Sequence, residues 1–347
     1  MPEGHSIHRV ARQFEANFAG RIVRASSPQG RFAEGAAKLD GRTMLRTFAV
    51  GKQMFSEFED DLWLRVHLGI YGAWDFAGQV STTLGQTGEY SRPSPSPATQ
   101  AADAGGDDDG DGGGEHRDGA RAKMHDSRGE TSLSSIGAPR RARMRMAEQE
   151  SATTELSEWP PEPVGAVRLR LLTEATCADL RGPTACEVLD PAQVDAQLAR
   201  LGPDPLVDRG KNGEARFVEA VRKRRTPIGI LLMDQSVVAG IGNIYRAEML
   251  YRARLSPFQP GNTLTEEQAR QLWRDWTKLL KVGVEVGQMM TIDGLRGKAK
   301  ENALRNREDR HWVYGRAGLP CRTCGTPIAL TEMQGRKLYW CPACQPD

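Results

Sequence analysis

The stretch Cys321-Arg322-Thr323-Cys324, followed by Trp340-Cys341-Pro342-Ala343-Cys344, orders the rest of the chain. It holds four of the six cysteines, as two CxxC knuckles sixteen residues apart. Four thiolates at that spacing suit one tetrahedral Zn²⁺. Between the knuckles, residues 327–330 and 337–340 have strand character and Gln334-Gly335-Arg336 has turn character. The expected element is a zinc-held β-hairpin that presents Arg336 near its tip. So small a segment buries too little to fold alone, and metal binding, worth ~10–16 kcal/mol in zinc-finger peptides, would hold it. The competing reading is a disulfide pair in an exported protein. No signal-peptide pattern opens the chain, so zinc is expected instead.

Working outward, 347 residues at 39% hydrophobic content can bury a real core, and two folded domains plus the hairpin are expected. No apolar run approaches the length of a membrane span, so a soluble protein with no membrane partner is expected. Cys177 and Cys186 read as buried thiols in a reducing cytoplasm. A net charge of +2 conceals an asymmetry: residues 206–347 carry 24 Lys+Arg against 15 Asp+Glu, a net of +9, leaving −7 for the residues before them. A basic half beside a zinc hairpin points to a phosphate backbone, although charge alone fits a solvated basic surface equally well.

Residues 3–18 place Ile7, Val10, Ala11, Phe14 and Phe18 at helical spacing. Strand patterns follow at 43–50, 53–59, 62–68 and 71–76. In the third of these, Leu62, Leu64, Val66 and Leu68 share one face, while Trp63, Arg65 and His67 share the other. That alternation predicts a sheet with one face on a core and one lining a charged cleft. Residues 79–163 are dominated by Ser, Pro, Gly, Asp and Arg, with Asp107-Asp108-Asp109-Gly110-Asp111 at their centre, and read as a disordered insertion. Its basic part, Pro139-Arg140-Arg141-Ala142-Arg143, reads as a solvated tail. Strand pattern resumes at 166–172. Leu201-Gly202-Pro203-Asp204-Pro205-Leu206 reads as a hinge. Helices are expected at 214–224, 227–233, 243–252 and 266–286, the last with Leu272, Trp273, Trp276, Leu279, Leu280 and Val284 as a core stripe.

Two short stretches carry chemistry. In Gly240-Ile241-Gly242-Asn243, glycines before a helix let the backbone approach a ligand with its N–H groups aimed outward. The same pattern serves an ordinary helix-to-helix turn. In Met1-Pro2-Glu3-Gly4, removal of Met1 would expose a secondary α-amine whose reference pKa near ~8 leaves a neutral fraction at pH 7. Such an amine can attack an aldehyde-like carbon, and Glu3 beside it can shuttle protons.

These pieces occur in one order: Met1-Pro2-Glu3-Gly4, Gly51-Lys52, His67-Leu68-Gly69, Ala239-Gly240-Ile241-Gly242-Asn243-Ile244-Tyr245-Arg246-Ala247-Glu248, Val313-Tyr314-Gly315-Arg316, and Gly335-Arg336 before Trp340-Cys341. The ordered set resembles the formamidopyrimidine-DNA glycosylase/endonuclease VIII family, and the Met-Pro-Glu-Gly start resembles its endonuclease VIII branch. The resemblance covers nearly everything outside 79–163. It implies an α+β multidomain fold: an N-terminal β-sandwich with a flanking helix (1–200), a helix–two-turns–helix domain (201–305) and a zinc finger (306–347). It implies that Pro2 attacks C1′ of an extruded nucleotide and that Glu3 is the acid/base. Lys52 would assist β-elimination, and Arg336 would grip phosphates and support δ-elimination. Asn243 and Arg200 would contact DNA, as would His67 at its place in the set, and Ile70 would be the apolar wedge. Taken singly, Lys52 is also an ordinary surface lysine and Arg336 a turn residue. Two departures stand out: His5-Ser6 replaces a Pro-Glu pair, and Gly69 stands where endonuclease VIII relatives often carry Gln.

The expected protein is a bifunctional DNA glycosylase/AP lyase that removes oxidised bases, chiefly pyrimidines, and cuts by β,δ-elimination. Its partners would be damaged DNA and one structural Zn²⁺, with no nucleotide cofactor, as a monomer in a bacterial cytoplasm at the nucleoid. The rival is a non-catalytic zinc-ribbon protein that senses DNA damage or abasic sites.

Overall fold

The structure, a computed structural model, describes residues 2–86, 131–138, 159–208 and 211–347. The expectations placed on 107–111 and 139–143 fall outside these residues.

Helix α1 (Gly4–Asn17) buries Ile7, Val10, Ala11 and Phe14. Phe14 meets Phe18, Trp74 and Phe76 at ring-centroid distances of 4.9, 4.7 and 5.3 Å. After it come β1 (Arg21–Ser26), a short α2 (Ala33–Leu39), β2 (Arg42–Val50), β3 (Gln53–Phe58), β4 (Leu62–His67), β5 (Ala73–Gly78), β6 (Ser135–Gly137), β7 (Val167–Leu172), β8 (Thr176–Arg181) and β9 (Ala185–Leu189). They are ordered β6-β5-β8-β7-β1-β2-β3-β4-β9 with antiparallel neighbours. β1 is the joint of the sandwich. Arg21 to Val23 pair with β2, whereas Arg24 to Ser26 pair with β7, so the sheet folds over onto itself around α1 and the shared core.

The outer face of β2–β4 differs from its expected charged cleft. Trp63 is buried there with Phe48 and Phe55, beneath Val194 and Leu198 of α3 (Pro191–Ala199). An Asp190/Gln193 capping box starts α3, which lies across this face and turns it into a second small core. Arg65, on the same face, is held by Gln53 and Glu187 of the flanking strands.

Part of the stretch read as a disordered insertion is ordered. β6 pairs with β5, and Ile136 is buried in the sandwich core. Both stems dock on α1: Asn17 accepts from Ser81 N (2.9 Å), and Arg9 donates to Thr131 O (3.1 Å). The composition averages over these few pairing residues and hides them.

Residues 201–205 are buried, so the expected hinge is a packed crossing. Beyond it run α4 (Lys211–Arg222), α5 (Ile228–Leu231), α6 (Asn243–Arg252) and α7 (Glu266–Val286). α7 is framed by a Thr265/Gln268 capping box and by Gly287 in the left-handed conformation (φ 82°). Its stripe packs with Tyr245 and Ile244 into a core separate from that of the sandwich. A further helix, α8 (Gly297–Arg305), leads to the zinc hairpin.

The hairpin strands are β10 (Ala329–Met333) and β11 (Arg336–Trp340). Gln334 and Gly335, with φ 50° and 67°, form the two-residue turn that matches strand twist. The first strand therefore starts later than expected, since Pro327, which has no N–H to give a ladder, makes only an isolated bridge with Pro320. Among the described residues no helix is long and apolar enough to cross a membrane.

Candidate active site

Three distant segments meet at the first turn of α6. Gly4 N donates to Gly240 O at 2.9 Å, and a Cβ on Gly51 would lie 2.9 Å from Gly240 N. Backbone approaches backbone here, which brings the chain's first residues and the β2–β3 turn against the helix start.

Glu3 uses that approach. It is 1% exposed, and its carboxylate accepts from Gly242 N (2.8 Å), Ile244 N (2.9 Å) and Tyr245 N (3.4 Å). Gly242, the residue that caps α6, has no side chain to cap with. Glu3 thus satisfies the orphan donors of α6 from 239 residues away, and the positive end of the helix dipole favours its charge. A Cβ at Gly242 would sit 2.4 Å from the Glu3 carboxyl carbon, so only glycine allows the contact. The N–H groups expected to face a ligand are therefore taken by Glu3. Pro2, immediately before it, is buried in the same junction.

Lys52 lies in the β2–β3 turn and is half-buried. Desolvation lowers its ammonium to about 8; the Glu3 carboxylate opposes this and the Arg336 guanidinium adds to it. Lys52 thus feels the charges of both Glu3 and Arg336. Arg336 opens β11 opposite Met333, at the hairpin end as expected. Asn243, buried, donates to Lys337 O at 2.9 Å, and Arg246 bonds both Asn243 and that carbonyl. The amide expected at a phosphate therefore ties α6 to the hairpin strand that carries Arg336.

The remaining expected residues lie around this centre. His67 ends β4 opposite Gln53, the neighbour of Lys52. Ile70 is half-buried in the β4–β5 loop beside the exposed Tyr71. Gly69 has φ 62°, and a Cβ there would fall 1.8 Å from Thr184 Oγ1, so a larger residue would be strained in this loop. Arg200 is exposed at the end of α3. His5 is buried edge-on to Tyr245 (5.7 Å, 84°), and burial, then Arg9, lowers it to about 3. It is a neutral filler between α1 and α6.

Two carboxylates escaped the sequence reading. Asp204, fully buried in the supposed hinge, accepts from His8 Nε2 (2.8 Å) and Gly51 N (2.7 Å) with one oxygen and from Leu206 N (2.9 Å) with the other. Burial opposes its ionisation, yet His8 and these donors hold its carboxyl below the usual range. It joins α1, the Lys52 turn and the crossing. Glu248, on α6, accepts from Trp312 N (2.7 Å), Val313 N (2.9 Å) and Tyr314 N (2.8 Å) and so anchors the approach to the zinc hairpin. Its place in the Asn243-to-Glu248 run was the available signal.

The four Sγ atoms of Cys321, Cys324, Cys341 and Cys344 all lie within 4.8 Å of one another. Cys321–Cys344 and Cys324–Cys341 are 3.8 and 3.5 Å apart. Tetrahedral Zn–S bonds of ~2.3 Å require S···S separations of about 3.8 Å, so the four residues fit one structural zinc. Cys321 and Cys341 pack with Ala247 and Tyr251 of α6 and with Ile328, which seats the hairpin on the helix that also receives Glu3.

Residues 1–107 match the Formamidopyrimidine-DNA glycosylase N-terminal domain, 201–293 the Formamidopyrimidine-DNA glycosylase H2TH domain, and 318–346 the zinc finger found in FPG and IleRS. Endonuclease 8 1 of Mycobacterium tuberculosis is 35% identical over 345 residues, covering 99% of this chain and 100% of its own. The formamidopyrimidine-DNA glycosylase of Thermus thermophilus is 41% identical over 148 residues, 43% of this chain and 54% of its own. Among solved structures, MutM (Fpg) of Thermus thermophilus has a TM-score of 0.59 at 25% identity, covering 100% of this chain and 99% of that one. Lactococcus lactis Fpg bound to DNA with an AP site shares the fold at TM-score 0.63 and 20% identity, each chain covered over 100%. Three domain matches in chain order and a relative aligned end to end lead to one conclusion: the chain belongs to the formamidopyrimidine-DNA glycosylase/endonuclease VIII family of base-excision-repair DNA glycosylases.

Proposed function

We propose that the protein is a bifunctional DNA glycosylase and AP lyase that removes oxidised bases, oxidised pyrimidines foremost, from damaged DNA. Once Met1 is removed, the Pro2 nitrogen attacks C1′ of the extruded nucleotide. The glycosidic bond breaks, Glu3 manages the proton transfers of base release and ring opening, and an iminium joins Pro2 to the sugar. Loss of a C2′ proton expels the 3′ phosphate, with Lys52 assisting. A second elimination, supported by Arg336 at the phosphates, expels the 5′ phosphate. Hydrolysis of the iminium frees the enzyme.

The observation that carries this reading is the convergence on one helix start of Glu3 beside Pro2, of Gly51 beside Lys52, and of the hairpin strand that Arg336 opens and Asn243 holds. General acid–base residues need hydrogen-bond reach and fixed orientation, and Glu3 has the latter from its backbone donors. The pyrimidine preference rests on the Met-Pro-Glu-Gly start and on the kinship with a protein named Endonuclease 8 1.

The test is borohydride trapping of zinc-loaded protein, with intact mass confirming loss of Met1. The substrates are oxidised-pyrimidine, oxidised-purine and abasic sites in single- and double-stranded DNA. A covalent complex strongest on oxidised pyrimidines and abasic DNA is expected. Trapping on none of them by Met1-free protein would refute the catalytic reading, and stronger trapping on oxidised purines would refute the preference.

A further inference from the structure

Helix α8 joins α7 to the zinc hairpin, and its charge is unlike that of its neighbour. On α7, Arg270 meets Glu266 and Glu214 at 2.6 Å each, Arg274 meets Glu267 at 3.0 Å, and Lys278 meets Asp293 at 2.7 Å. At α8, Arg296, Lys298 and Lys300 are exposed, and among the described residues none has a carboxylate partner. Its first turn contains no acid, and between 294 and 307 Glu301 is the single carboxylate beside five cations. Arg296, Lys298 and Lys300 stand close enough to repel one another, and among the described residues no carboxylate pairs with any of the three.

The helix is nevertheless held in place. Ala303 is fully buried, and Gln288 donates to Leu304 O at 3.0 Å. Just beyond it, Arg322, from within the first zinc knuckle, donates to Glu308 O at 2.7 Å and to His311 O at 3.2 Å. The segment also borders the active site. Beyond Arg307, Tyr314 donates its N–H to Glu248 of α6 at 2.8 Å and packs its ring 5.0 Å from that of Tyr339 on β11, the strand that Arg336 opens.

We propose that α8 is a phosphate-contacting helix, with Arg296, Lys298 and Lys300 set against the sugar–phosphate backbone of bound DNA at the margin of the active site. This rests on the DNA-repair reading above. A polyanion supplies the counter-charge that the chain supplies to Arg270, Arg274 and Lys278 and withholds here. The contact carries affinity and position and no base sequence.

The experiment compares zinc-loaded full-length protein with the R296Q/K298Q/K300Q variant, and with R270Q as a control for a paired cation. Fluorescence anisotropy follows binding to undamaged duplex and to duplex with a tetrahydrofuran abasic analogue, between about 50 and 200 mM salt. Each phosphate contact contributes ~0.9 to the slope of log K against log salt, so the triple variant should be shallower by about 2–3 on both duplexes. R270Q should match the parent in affinity and in slope on both duplexes. Parallel slopes for parent and triple variant would overturn the proposal. A loss confined to the abasic-analogue duplex would also overturn it, by assigning α8 to the damaged nucleotide. Parent protein that binds neither duplex would instead refute the DNA-repair reading.

Discussion

Two buried carboxylates lie against α6, and each accepts three backbone N–H groups. Glu248 is supplied by the helix itself and receives residues 312–314, so its contacts join one segment to the next. Glu3 is supplied by the far end of the chain and receives the helix start, beside Pro2 and within the electrostatic reach of Lys52. The hydrogen-bond chemistry is the same at both. Function follows from what else stands nearby: Pro2 and two cations at Glu3, a tyrosine-rich packing surface at Glu248.

The comparison breaks most severely at the metal. A Cys341→Ser substitution should release the zinc and unfold the hairpin, since the metal supplies most of its stability, ~10–16 kcal/mol in related peptides. Arg336 then leaves the site, so DNA binding and strand cutting should fall together, as read by anisotropy and nicking gels with zinc quantified in parallel. Full activity in a zinc-free variant would sever the hairpin from the site.

Next comes Glu3 itself. Glu3→Gln should lower base excision by roughly 10²–10⁴-fold, the range for a lost acid/base group, and should also cost about 3 kcal/mol, because an amide N–H₂ meets backbone donors that need an acceptor. Glu248→Gln should carry the same stability cost, about 3 kcal/mol, and leave the excision rate of the folded protein near that of the parent. Excision rates separate the two carboxylates, and thermal melts on both variants check the shared cost. Identical excision rates would mean that Glu3, too, is only a structural cap.

A smaller effect sharpens the electrostatics of the Glu3 side. With Lys52 at about 8, strand cutting at a preformed abasic site should rise as pH passes through that value and the amine becomes neutral. Arg336 lowers the Lys52 value, so Arg336→Gln should move this limb to higher pH, while Lys52→Arg should abolish it. An unmoved limb in Arg336→Gln would uncouple the two residues.

The smallest effect falls at Asp204. Its folded pKa is depressed, so it adds stability above the ordinary value near ~3.9, and this is lost as pH falls through the folded value. Asp204→Asn should therefore cost about 1–3 kcal/mol near neutral pH and flatten the acid limb of the melting profile. An unchanged acid limb would place the pH sensitivity elsewhere.

Much of this was legible in the order and spacing of the residues. Knuckle spacing located the zinc ligands, the 3.6-residue period bounded α6 and α7, and the chemistry of a freed proline amine marked Pro2 as the nucleophile proposed above. Period-2 alternation located β4 and misread its outer face, because alternation cannot show that α3 covers Trp63. Gly and Pro at 201–206 signalled a break in helix and strand, which a packed crossing shares with a hinge.

The sequence by itself settled the chemistry available: four thiolates for a metal, a proline at position 2, a basic C-terminal half and glycines before a helix. Local spacing records these because each depends on covalent neighbours or on one helical turn. Tertiary structure alone decided which groups meet. Glu3 caps a helix 239 residues away, Asp204 buttresses the Lys52 turn, and Asn243 clasps the hairpin strand. Such contacts arise where backbones pack closely and unpaired donors need acceptors, a requirement that acts through space and leaves no period along the chain.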